Sequence, residues 1–197
     1  MGLRSFALVA VALGCANSSD GVESTGEVVA AGDNGGGGGT CAGAGTVCEQ
    51  GQALLDVELQ NCAGEKVRIA DVACNGKATM VYFGAGWCQP CREKQPKLQK
   101  WHEQYAAAGL NVVVILREDG GPGDPATKGF CEEWTAEYGL TFPVLIDPTD
   151  KITSTCLGTG GTLPVTVVTS PTWQVYYKDI GGEAPEAEAT FTELLDQ

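Results

Sequence analysis

Two apolar runs of strand length, ATMVYFG at 78–84 and NVVVILRE at 111–118, flank a stretch in which Leu98, Trp101, Tyr105 and Ala108 recur at spacings of three and four. A strand apolar at nearly every position is buried on both faces, and the three-to-four spacing marks a helix, here from Gln89 to Ala108 with Gly109 stopping it. Further elements follow the same logic. ALLDVELQ (53–60) reads as a first strand, and NCAGEKVRI (61–69) as a turn into a short partner strand. DGGPGDPATKG (119–129) is a loop, with a helix around FCEEWTAEY (130–138) and a strand at FPVLID (142–147) after it. PVTVVTS (164–170) and WQVYYKD (173–179) alternate like a hairpin, and Phe191, Leu194 and Leu195 line one face of a closing helix. Buried strands alternating with helices predict an α/β fold: a central mixed sheet with helices on both faces, in three layers, extended by N-terminal strands.

The N-terminal 45 residues cannot join that core. Arg4 precedes a short apolar run from Phe6 to Leu13, which is too short to span a bilayer and reads as a secretory signal. The segment ALGC, ending at Cys15, resembles the lipobox of bacterial lipoproteins, in which the cysteine becomes the lipidated first residue of the mature chain. Ala12 stands where such signals most often carry leucine, and a plain cleaved signal or an uncleaved one is the alternative. Residues 16–47 are mostly Gly, Ser, Asp and Glu, with the run GDNGGGGGTCAGAG. They read as a flexible tether to a folded part at 48–197. The expected location is therefore the bacterial cell envelope, outside the cytoplasm and facing the periplasm, with the membrane reached by the lipid on Cys15 alone.

Nine cysteines, at 15, 41, 48, 62, 74, 88, 91, 131 and 156, point to an oxidising compartment. If Cys15 carries lipid, the other eight form an even set. A local disulfide between Cys41 and Cys48 would close a small loop, Cys62 and Cys74 bracket the short second strand and could pair likewise, and Cys131 with Cys156 is the favoured structural pair across the insertion before the final hairpin, with fifteen pairings of the six open. With 25 acidic against 12 basic residues the chain carries a formal charge of −13, which repels phosphate backbones, so nucleic acid is excluded as a partner.

The chemistry concentrates in WCQPC, residues 87–91, where a buried strand meets a helix. Cys88 falls at the helix N-terminus, where unpaired N–H groups and the macrodipole favour a thiolate. Cys91 lies one turn on, within reach of a mixed disulfide formed at Cys88. Pro90 fits the first turn because its missing N–H has no helical partner there. Zinc would want a second ligand pair, and the single histidine, His102, lies inside the helix. A c-type haem would want histidine where Arg92 stands. A small structural disulfide is the remaining bland reading. Arg92, Lys94, Lys97 and Lys100 read as a solvated basic face, with Lys94 close enough to the first turn to favour a thiolate. Trp101, Trp134 and Trp173 read as packing residues.

ATMVYFGAGWCQPCREKQPKL resembles the active-site segment of the thioredoxin superfamily, most closely the TlpA/ResA-like extracytoplasmic branch, and the likeness extends from about Ala53 to the C-terminus. It implies a thioredoxin-like fold and a thiol-disulfide oxidoreductase, by family likeness a reductase, that works without cofactor or metal. Its partners would be protein or small-molecule disulfides, with a membrane electron donor or acceptor to recycle the site. The resemblance assigns Cys88 as nucleophile, Cys91 as resolving thiol, Trp87 as the tryptophan beside the nucleophile and Pro96 as the helix-bending proline. Pro164 takes the role of a cis-proline facing the disulfide, and Leu163 that of a backbone platform for substrate. Two positions depart from the pattern: Tyr82 stands where thioredoxins bury an acid, and Lys94 where ResA-like proteins carry glutamate. The alternatives are a peroxiredoxin-like peroxidase, against which Ala85 replaces that family's threonine, and a non-catalytic binding module on the same scaffold.

Overall fold

The computed structural model describes residues 45–73 and 76–197. Seven strands form one mixed sheet in the order β2-β1-β5-β4-β3-β6-β7. They are β1 (Glu58–Asn61), β2 (Lys66–Arg68), β3 (Ala78–Gly84), β4 (Leu110–Leu116), β5 (Val144–Ile146), β6 (Val165–Thr169) and β7 (Val175–Ile180). The central strands β3, β4 and β5 run parallel, and β6 returns antiparallel beside β3 with Val165 opposite Phe83. Every residue of β3 and all but one of β4 are buried, as their unbroken apolar sequence requires.

Helix α2 (Gln89–Tyr105) connects β3 to β4, with Pro96 inside it, and a 3-10 turn at Ala106–Ala108 runs into Gly109 in the left-handed conformation. Helices α3 (Lys128–Tyr138) and α5 (Ala187–Leu195) lie beside α2. Trp101 and Tyr105 of α2 both meet the Phe191 ring of α5 edge-on, and the Arg92 guanidinium of α2 stacks over Trp134 of α3. The short helices α1 (Ile69–Ala73), packed on β4, and α4 (Thr153–Leu157) are elements the sequence periodicity did not reveal, being too short to show a repeat. Trp101, Trp134 and Trp173 are all buried, as expected of packing residues.

The structural disulfides overturn the favoured Cys131–Cys156 pairing and both local alternatives. Cys48 bonds to Cys156 and Cys62 to Cys131. Cys48 therefore does not pair with Cys41, nor Cys62 with Cys74, nor Cys131 with Cys156. Local pairing was expected from closeness in sequence, but the sheet order brings distant segments together. The strand pair β1–β5 carries Cys62, just past β1, to the level of Val144, and the sulfurs of Cys62 and Cys131 both lie at the Val144 carbonyl. Cys41 and Cys74 lie outside the described residues, as do Cys15, the signal segment and residues 16–44 of the expected tether.

Candidate active site

The C-terminal end of β3 delivers the chain into the site through Gly84, Ala85 and Gly86. Gly86 has no room for a side chain: a Cβ there would sit 2.3 Å from the Asp119 carbonyl oxygen and 2.6 Å from the Phe130 ring. The loop is tied to the end of β4 by Gly86 N–H to the Glu118 carbonyl at 2.9 Å and by Arg117 N–H to the Gly84 carbonyl at 3.0 Å. It is tied to α2 by the Arg92 guanidinium, which donates to the Gly86 carbonyl at 3.0 Å and also pairs with Glu137 of α3.

Cys88 is the N-cap of α2, in extended conformation, and forms a disulfide with Cys91 one turn in. The Cys91 N–H points at the Cys88 sulfur at 3.3 Å, so one of the helix's otherwise unpaired donors faces the atom that would carry thiolate charge. The two sulfurs differ less in exposure than the sequence suggests: Cys88 is 3 % exposed and Cys91 fully buried. Beside them Trp87 is 41 % exposed, and its indole N–H donates to Glu118 Oε2 at 2.7 Å. The other Glu118 oxygen accepts from Gly123 N–H at 3.1 Å. Glu118 is thus a nearly buried clamp that fixes the exposed tryptophan, a role sequence reasoning missed. The available signal was its place just beyond the second buried strand, whose end the sheet sets next to the end of the first.

The Leu163–Pro164 peptide bond is cis. Since Val165 lies opposite Phe83, Pro164 arrives at the level of Gly84, and a Cβ on Gly84 would come within 3.3 Å of Cys91 Cβ and 3.6 Å of its sulfur. The cis bond and the disulfide therefore lie at the same end of the β3–β6 pair. Trp87, Cys88, Cys91, Leu163 and Pro164 converge at this end of the sheet, while Cys15 lies outside the described residues.

Behind the disulfide the surroundings differ from a solvated basic face. Lys94, one turn beyond Cys91, is 7 % exposed, and its ammonium donates to the Glu183 carbonyl oxygen with the Glu183 carboxylate 3.8 Å away. Burial, with Lys97 adding, lowers its pKa, and Glu183 and Asp179 oppose the shift. The Tyr82 ring is fully buried, and burial pushes its pKa up, Glu183 adding to the effect. Glu93 stands apart, hydrogen-bonded to Gln89 on the exposed side of the helix.

The sequence profile described as the AhpC/TSA family matches residues 50–178. The chain is 33 % identical over 99 residues to the thioredoxin-like protein YneN of Bacillus subtilis (strain 168), an alignment covering 50 % of this chain and 54 % of that one. It is 30 % identical over 136 residues to the thiol-disulfide oxidoreductase ResA of Bacillus thuringiensis (strain Al Hakam), covering 69 % of this chain and 72 % of ResA. The chain thus spans about half the length of YneN and nearly three quarters of ResA. Among solved structures, a thiol:disulfide interchange protein from Bacteroides sp. superposes with TM-score 0.58 at 15 % identity, over 80 % of this chain and 93 % of that one. A secreted disulfide oxidoreductase of Mycobacterium tuberculosis does so with TM-score 0.54 at 16 % identity, over 71 % and 94 %. At those identities the structures speak for the fold alone, and the fold they share is thioredoxin-like. With the family profile covering well over half the chain and ResA aligned over most of its own length, the chain belongs to the AhpC/TSA family and to its TlpA/ResA-like branch of the thioredoxin superfamily.

Proposed function

We propose that this protein is a thiol-disulfide oxidoreductase, working as a reductase of protein or small-molecule disulfides through Cys88 and Cys91. The observation that carries the reading is the disulfide between a helix N-cap and the first turn, at the same end of the sheet as a cis-proline and beside an exposed, clamped tryptophan. In the reduced enzyme the Cys88 thiolate, favoured by the Cys91 N–H and the α2 dipole, attacks one sulfur of a substrate disulfide. A Cys88–substrate disulfide forms and the other substrate sulfur leaves as a thiolate. Cys91 then loses its proton and attacks Cys88, releasing the second substrate thiolate. Two electrons pass to the substrate, and the Cys88–Cys91 disulfide remains for an external dithiol to reduce.

Trp87 and Pro164 supply apolar walls for the substrate on either side of the sulfurs. No hydrogen bond among the described residues engages the Leu163 backbone, which suits it to pair with an extended substrate strand. Ala85 brings no hydroxyl to the loop before Cys88, which weighs against a peroxidase. The location we propose is outside the cytoplasm, held to the membrane by lipid on Cys15 and recycled by a membrane electron donor. Support comes from two long-range structural disulfides, which belong to an oxidising compartment, and from the ALGC segment.

The test is a pair of variants mixed with a disulfide-linked peptide and read by intact mass. Cys91→Ser is expected to accumulate a covalent mixed disulfide with the peptide, because it attacks but cannot release. Cys88→Ser is expected to form none. A complex trapped by Cys88→Ser and not by Cys91→Ser would reverse the assignment, and hydrogen-peroxide turnover by Cys91→Ser equal to that of wild type would favour a one-cysteine peroxidase.

A further inference from the structure

Lys94 lies in α2 one turn beyond Cys91, nearly buried, and its ammonium donates to the Glu183 backbone carbonyl in the loop between β7 and α5. The Glu183 carboxylate is 3.8 Å from that nitrogen on a side chain 89 % exposed, so solvent screens it and the carbonyl is the anchor. The same loop holds the cis-proline. At its start the Gly181 N–H donates to the Pro164 carbonyl at 2.6 Å, and a Cβ on Gly181 would come to 3.2 Å from Thr162 Cβ. Gly182 leaves room for the Asp179 carboxylate, which a Cβ there would strike at 2.2 Å and which accepts from Ala184 N–H at 3.1 Å. Ala184 is buried with φ 48°, in the left-handed region, where a non-glycine residue stays only if its surroundings fix it. The carbonyl that Lys94 engages is the one just ahead of this strained residue. A continuous path therefore runs from α2 through Lys94, the β7–α5 loop and Gly181 to Pro164, whose neighbour Leu163 has its backbone open to a substrate strand.

We propose that Lys94 is a positioning residue for extended peptide substrates: by fastening the β7–α5 loop to α2 it holds the Leu163–Pro164 platform in place at the disulfide's end of the sheet. The inference rests on the oxidoreductase reading above and adds how that site selects its substrate. A peptide strand that pairs with the Leu163 backbone gains from a platform already in place, because binding then costs no ordering of the loop behind it. A small disulfide that touches only the sulfurs gains nothing from that order. The hold is on a backbone carbonyl, so the exposed Glu183 side chain is dispensable to it. The hold is also mutual: without Glu183 the buried ammonium would lose its hydrogen-bond partner, and without Lys94 the carbonyl would lose its own.

The experiment mixes the dithiol-reduced full chain with rising concentrations of a disulfide-linked extended peptide, and separately with a small aromatic disulfide, following oxidation of Cys88 and Cys91 by acid quench and mass. Lys94→Met keeps the apolar stem and removes the donor. It is expected to raise the half-saturating peptide concentration about tenfold, with the limiting rate and the rate on the small disulfide within about twofold of wild type. Gly181→Ala presses on Thr162 from the other end of the loop and is expected to give the same split, and adding Lys94→Met to it should cost little more. Glu183→Gln should match wild type. Half-saturation of Lys94→Met at the wild-type peptide concentration, equal slowing on both substrates, losses that multiply in the double variant, or a Glu183→Gln defect as large as that of Lys94→Met overturns the proposal. Failure of wild type to oxidise Cys88 and Cys91 with either disulfide would instead overturn the oxidoreductase reading itself.

Discussion

At the scale of single residues, the site is built as much by what is missing as by what is present. Gly84 and Gly86 leave the space into which the Cys91 sulfur, the Asp119 carbonyl and the Phe130 ring fit. Nothing in a one-dimensional pattern distinguishes these glycines from those of an ordinary loop. Cys88, Cys91, Trp87 and Pro164 were legible because their spacing and their place relative to strands carry chemical meaning. Lys94 was not: four basic residues within nine positions look like a solvated face, and only the packing of the β7–α5 loop over Lys94 shows otherwise. A test of that burial follows from linkage. The folded-state pKa of Lys94 lies below its unfolded value of about 10.5. Its charged form is thus disfavoured by folding, so the stability it contributes is fully present above the unfolded pKa and lost as pH falls through the folded one. Urea unfolding of the oxidised protein should show wild type gaining on Lys94→Met as pH rises from 8 toward 10.5. A constant difference over that range would place Lys94 in solvent.

At the scale of elements, apolar runs predicted the central strands and the three-to-four spacing predicted α2, because burial on both faces and helical periodicity both leave a trace in sequence. The short helices α1 and α4 leave none, and the cysteine pairing depends on sheet order, which local spacing does not encode. The Cys48–Cys156 bond joins the segment before β1 to α4, seven residues ahead of Leu163. That segment also lies along the start of β7, with Val175 N–H donating to the Gln52 carbonyl at 2.9 Å and Gly51 N–H to the Val175 carbonyl at 2.8 Å. Part of an edge strand is thereby covered. Because the bond spans 108 positions, its removal frees a long loop in the unfolded chain. The double variant Cys48→Ala with Cys156→Ala is expected to lose about 3 kcal/mol in urea unfolding. An unchanged midpoint would show that the bond constrains little.

At the scale of the whole molecule, the three disulfides seen among the described residues divide by position. Two join segments distant in sequence and hold the outer parts of the fold together, while the third lies within one turn of a helix at the end of the sheet, beside an exposed tryptophan. For the proposed reductase this division is chemical as well as spatial, with Cys88–Cys91 exchanging electrons and the other two inert. Equilibration of the native protein with thiol redox buffers of stepped potential, followed by alkylation and peptide mass analysis, measures it directly. Cys88–Cys91 is expected to reach half reduction between about −120 and −270 mV, while Cys48–Cys156 and Cys62–Cys131 stay oxidised to below about −300 mV. Reduction of all three together, or of Cys88–Cys91 last, would contradict it.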